Sequence, residues 1–130
     1  MLDADFSDDF CRFIQTTIPD VDAAELLLAV SAQPEVWWEP AQLGGKVRLA
    51  RGITDVEAAR YFETFQNRGL LATGPDRRFR YRPKSEELAA HVRTLATAYN
   101  ERPVTLIRMI YALRDAKIRS FADAFKLRRR

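Results

Sequence analysis

A mainly helical chain with one small β-hairpin is the fold class this sequence predicts, and three observations predict it. Apolar residues recur at three- and four-residue steps in most segments between prolines. A Thr54-Asp55-Val56-Glu57 box opens one such segment and Gly69 closes it. A turn cluster, Gly74-Pro75-Asp76-Arg77, separates an apolar run from Arg78-Phe79-Arg80-Tyr81-Arg82, which alternates with period two. The chain has 130 residues, 47% of them hydrophobic, with only 5 Gly and 6 Pro, the composition of one soluble globular domain. That length supports a core without disulfides or metal clips.

The elements follow in order. Phe6, Phe10, Phe13, Ile14 and Ile18 form the stripe of a helix from Asp5 to Ile18, closed by Pro19. Asp22 then reads as the N-cap of a helix from Ala23 to about Gln33, ended by Pro34. Val36-Trp37-Trp38 reads as a short extended piece with one indole facing inward. Pro40 starts a short helix through Leu43 that Gly44 and Gly45 stop or bend.

The capping box at Thr54 and the Gly69 C′ position bound a helix from Asp55 to Arg68, with Ala58, Phe62 and Phe65 on its inner face. Leu70 to Thr73 and Arg78 to Arg82 make a hairpin; alternation turns Phe79 and Tyr81 inward and Arg78, Arg80 and Arg82 to the other side. Those charges suit either phosphate or the protection of a solvated edge strand. Ser85 caps a long helix whose Leu88, Val92, Leu95 and Tyr99 form a seam of about two heptads. Pro103 restarts a helix bearing Val104, Ile107, Ile110 and Tyr111; Ile118, Phe121, Ala122 and Phe125 mark a last one before the Lys126 to Arg130 tail. The chain thus divides into an N-terminal helix (1–21), a central unit (22–84) and a C-terminal helical extension (85–130).

Several function classes lack their residues. One cysteine, Cys11, and one histidine, His91, cannot supply a zinc set. Cys11 reads as a small buried apolar residue, His91 as a helix-surface or packing residue, and Glu86 and Glu87 as acids complementing a helix N-terminus. No catalytic constellation, metal or cofactor is expected, so the reading is not an enzyme. The apolar run Ala23 to Val30 falls far short of the roughly 18 residues of a membrane span. The acidic N-terminus lacks the basic start of a signal peptide, so the expected location is cytoplasmic.

Charge is lopsided. Residues 1–40 hold nine acids and one base, whereas residues 41–130 hold nine acids and twenty bases, the footprint of a polyanionic partner. Seventeen of the 21 basic residues are Arg, whose fork matches phosphate and base edges, although high-GC coding enriches Arg as well.

The order helix, short strand, helix, capped helix ending in Asn67-Arg68-Gly69-Leu70-Leu71, then basic hairpin resembles the winged helix-turn-helix of many bacterial transcription regulators. The resemblance covers about residues 22–84. It implies a winged helix-turn-helix with Asp55 to Arg68 as recognition helix and the hairpin as wing. Binding to double-stranded DNA follows, as does a homodimer joined through the helix after the wing. Arg60, Thr64 and Asn67 would then reach bases, and Arg48, Arg51, Arg77, Arg78, Arg80 and Arg82 the phosphates. Asp55, Glu57 and Glu63 place three acids on the helix that should approach a polyanion. Winged helices also serve as protein-protein modules, so the alternative is an interaction module whose N-terminal or C-terminal helices dock a protein without DNA. The last helix with its basic tail offers an anionic membrane surface or an acidic partner as a third option.

Overall fold

The computed structural model describes residues 6–44 and 53–128, and the side chains of residues 6–42 and 53–119. Four of the helices begin where a polar side chain answers a free amide. The Ser7 hydroxyl accepts from the Phe10 amide at 3.1 Å and starts α1, Asp8–Thr17. The next helix, α2 (Val21–Ala32), is capped by Asp20 rather than by Asp22. Asp20 Oδ1 accepts the Ala23 amide at 2.9 Å and its Oδ2 accepts the Tyr61 hydroxyl at 2.7 Å. The earlier start also buries Val21 and leaves Asp22 buried in the first turn, where the helix dipole favours an acid. Two acids two residues apart are equivalent caps by sequence; the Tyr61 contact separates them.

After Trp38, α3 (Pro40–Gly44) opens at its proline and packs against α4 (Asp55–Asn67). The capping box at Thr54 and Glu57 forms in full. Gly69 ends α4 at φ +80°, a left-handed conformation that other residues adopt at a cost. The chain then runs through β1 (Leu71–Thr73), a turn at Pro75–Arg77, and β2 (Phe79–Tyr81), paired antiparallel with Leu71 opposite Tyr81 and Thr73 opposite Phe79. Ser85 caps α5, Glu86–Glu101.

The C-terminal region departs from the sequence expectation. One continuous helix, α6 (Pro103–Arg128), replaces the two expected. Ala112 to Lys117 contains no Gly or Pro and consists mostly of good helix formers, so nothing interrupts the backbone. The inward face is Leu106, Met109, Ile110 and Leu113, while Val104 and Tyr111, expected to anchor the helix, are exposed.

One core joins all three sequence segments: Phe10 and Ile14 of α1, Leu26 and Leu27 of α2, Phe62 and Phe65 of α4, Leu95 of α5, and Leu106 and Ile110 of α6. The α5 seam is therefore used within the chain. Val92 and Leu95 are buried, Leu88 and Tyr99 are partly buried, and α5 packs on α1, α2 and α6. The Tyr99 hydroxyl bonds Glu25 across α5 and α2. Cys11 is buried beside Met109, with sulfur atoms 3.8 Å apart, and His91 stacks on Phe13 at 5.1 Å, both packing roles.

The Asp20–Tyr61 contact has a pH consequence. Burial, then the bond to Asp20, pushes the Tyr61 hydroxyl above the ordinary tyrosine value, so the fold resists an ionisation that the unfolded chain accepts. Stability should be intact below the ordinary tyrosine value of about 10 and fall as pH rises past it. Urea denaturation at pH 7 and above pH 10 should show a shallower alkaline loss in Tyr61→Phe. Asp20→Ala, losing both cap and acceptor, should cost about 2 kcal/mol or more at neutral pH.

Candidate nucleic-acid interface

The hairpin is positioned by a third extended piece. Trp38 donates its amide to the Phe79 carbonyl at 2.7 Å and accepts the Phe79 amide at 2.8 Å, an antiparallel bridge on the far side of β2 from β1. The Arg-rich strand is thus paired on both sides at Phe79. That pairing also sets Trp37 opposite Arg80 and Glu39 opposite Arg78.

Both cross-strand pairs form. The Arg80 guanidinium lies 5.0 Å from the centre of the Trp37 ring, and Arg80 is half-buried there. Arg78 Nε stands 3.6 Å from Glu39 Oε1, with both side chains about half exposed. On the opposite face, Phe79 meets Phe62 of α4 edge-on at 5.1 Å, and Trp38 is buried in the core. The predicted inward and outward sets are therefore kept, but the outward face carries an indole and a carboxylate as well as arginines.

The tip is strained. Asp76 and Arg77 both take positive φ, 59° and 58°, in a turn closed by the Arg78 amide on the Pro75 carbonyl at 3.3 Å. Primed turns of this kind match the twist of a hairpin but favour glycine at the position Arg77 holds. Arg77 is exposed at that tip and Arg82 at the base of the hairpin, and among the described residues neither has an acidic partner within salt-bridge distance. Lys84, not singled out from sequence, is also exposed, and its amide bonds the Gly69 carbonyl at 2.8 Å. The hairpin therefore presents Arg77, Arg82 and Lys84 as free cations, with Arg78 held loosely by Glu39.

The helix beside it is different. Arg60, Glu63 and Asn67 are exposed on α4 and Thr64 is half-buried, its hydroxyl returned to the Arg60 carbonyl at 3.1 Å. Asp55 and Val56, the latter 68% exposed, lie at the start of the same helix. Glu57 is occupied by the capping box. Arg68 bonds through Nε to the Thr16 carbonyl at 3.2 Å, so its charge faces the C-terminus of α1. Arg48 and Arg51 lie outside the described residues.

No known protein-family model, curated protein or solved structure matches this chain. Among the described residues no group of three or more His, Cys, Asp or Glu is placed to hold a metal, and no helix is long and apolar enough to cross a membrane.

Gly74 is the residue on which the outward face depends. A Cβ there would lie 2.5 Å from Trp37 Cζ3 and 2.8 Å from two further ring carbons, and an indole cannot yield as a flexible chain end does. Gly74→Ala should displace Trp37 from Arg80 and cost about 1–3 kcal/mol. A changed tryptophan emission spectrum together with a lower Tm would report it; an unchanged spectrum would mean the stack survives.

Proposed function

We propose that this chain is a winged helix-turn-helix regulator that binds double-stranded DNA, with the hairpin from Leu71 to Tyr81 as its wing and α4 as the helix that enters the major groove. The element order supports the reading: α2, the Trp38 strand, α3, α4, then a hairpin whose second strand pairs with Trp38. The observation that carries it is the set of free cations on the hairpin, Arg77, Arg82 and Lys84. Phosphate binding needs this arrangement, because ion pairing to the backbone releases counterions whatever the sequence.

The helix contributes less than the wing. Arg60 and Asn67 are the exposed groups suited to guanine and adenine, and Thr64 to a phosphate or thymine methyl, but Asp55 and Glu63 oppose a polyanion. Affinity is therefore led by the wing, with modest selectivity from the helix. Arg80 serves by holding Trp37 and the strand, and Arg78 reaches phosphate by leaving Glu39. A second reading, a winged-helix module that docks a protein, is favoured by one observation: Val56 is exposed between Asp55 and Glu57 on α4.

Fluorescence anisotropy on a generic duplex across about 50 to 200 mM salt tests the choice. Micromolar or tighter binding with a steep log-log slope is expected, and Arg77→Ala and Arg82→Ala should each lower that slope by about one. No binding at the lowest salt would exclude the DNA reading and leave the protein module. Arg77→Gly separates stability from binding: relief of the left-handed strain should stabilise the hairpin by about 1 kcal/mol while DNA affinity falls. A rise in Tm without loss of affinity would remove Arg77 from the interface.

A further inference from the structure

Among the described residues the last core residue of α6 is Leu113, and the helix continues to Arg128, about 22 Å further. Every residue from 114 to 119 is exposed, Ile118 by 56%. The turns from 114 to 119 receive no tertiary support, and an unsupported helical end is marginal in water, so whatever covers this part adds to its stability.

The composition of this projection indicates the cover. Residues 114–130 hold seven basic and two acidic residues. At 100° per residue, the positions of Ile118, Phe121, Ala122 and Phe125 fall within one stripe about 100° wide. Lys117 and Arg128 border one edge of that stripe and Arg119 and Lys126 the other. Two copies meeting stripe to stripe would bring basic borders together in parallel and antiparallel orientation alike, which argues against self-pairing. Duplex DNA would accept the charges and leave the apolar stripe in water. A surface that is anionic in its outer layer and apolar just beneath accepts both.

We propose that the projecting part of α6 is a membrane-surface helix. It lies along an anionic bilayer with Ile118, Phe121 and Phe125 in the headgroup-acyl boundary and the flanking Lys and Arg on lipid phosphates. The contact is peripheral and independent of the wing.

Co-sedimentation of the full chain with phosphatidylcholine vesicles, and with vesicles in which phosphatidylglycerol replaces part of the phosphatidylcholine, tests this. Binding should be at least about tenfold tighter on the anionic vesicles, since each basic residue near an anionic leaflet contributes about a factor of five, and should weaken with added salt. Ile118→Asp with Phe125→Asp should abolish it, and Lys117→Glu with Arg119→Glu should reduce it, each without lowering Tm, because Lys117, Ile118 and Arg119 are exposed beyond Leu113. Arg77→Ala with Arg82→Ala should leave it unchanged. Absence of vesicle binding, equal binding to neutral vesicles, or persistence in the Ile118→Asp, Phe125→Asp variant would overturn the proposal. So would a concentration-dependent dimer lost in that variant without vesicle binding, which would assign the stripe to a second copy.

Discussion

Two backbone hydrogen bonds between Trp38 and Phe79 determine how the whole outward face of the hairpin is arranged. They make β2 an inner strand, and the alternation of side chains does the rest. Trp38 and Phe79 must face the core, where Phe79 meets Phe62, so Trp37 and Arg80 must lie together on the other side. Glu39 is brought level with Arg78 by the same register. A shift of one residue would put the indole of Trp37 into the core and Arg80 against the phenyl ring of Phe62, so burial holds the register in place. Gly74 completes the arrangement by leaving space for the Trp37 ring.

The rest of the fold holds α4 against this unit from behind. Tyr61 ties its middle to the N-terminus of α2 through Asp20, and Arg68 ties its end to the C-terminus of α1 through the Thr16 carbonyl. Both contacts join a polar group to a helix terminus that already needs a partner, so each satisfies two groups at once. With α1, α5 and α6 closing over the remaining apolar faces, the core is complete within one chain up to Leu113. Beyond that residue every described side chain of α6, from 114 to 119, is exposed.

The sequence made the local signals legible. The Thr54 box, Gly69, Ser85 and Pro103 each act within one helical turn, and each appears where its spacing places it. What was not legible required knowledge of a distant partner. Asp20 and Asp22 are the same residue type two residues apart, and only Tyr61, forty-one residues from Asp20, distinguishes them. The continuity of α6 was missed because a change of apolar face looks like a break between helices, although no breaker residue is present. In the candidate interface, nothing local to Trp37 or Glu39 points to the arginines they meet. The one signal available was the complementary alternation of Trp37-Trp38-Glu39 and Arg78-Phe79-Arg80, apolar against apolar and acid against base once the strands are set antiparallel.

This also decides how far an arginine-rich composition argues for a polyanion. A composition driven only by codon usage would scatter arginines without regard to their surroundings, yet many here have a defined task inside the protein. Arg68 answers a helix terminus, Arg78 a carboxylate, Arg80 an indole, Arg93 the carboxylate of Glu86, and Arg102 and Arg114 the rings of Phe6 and Tyr111. Each of these contacts engages a cation inside the protein and makes it less available to an outside partner. The cations left for an outside partner are fewer and more localised than the excess of bases suggests. Among those described, Arg12, Arg60 and Arg108 are also exposed, the hairpin carries Arg77, Arg82 and Lys84, and the end of α6 is basic by sequence. A diffuse excess of charge would steer any polyanion weakly from every side. Two separated clusters, one on a sheet and one along an amphipathic helix, differ in rigidity and in apolar content, and so they select for different partners.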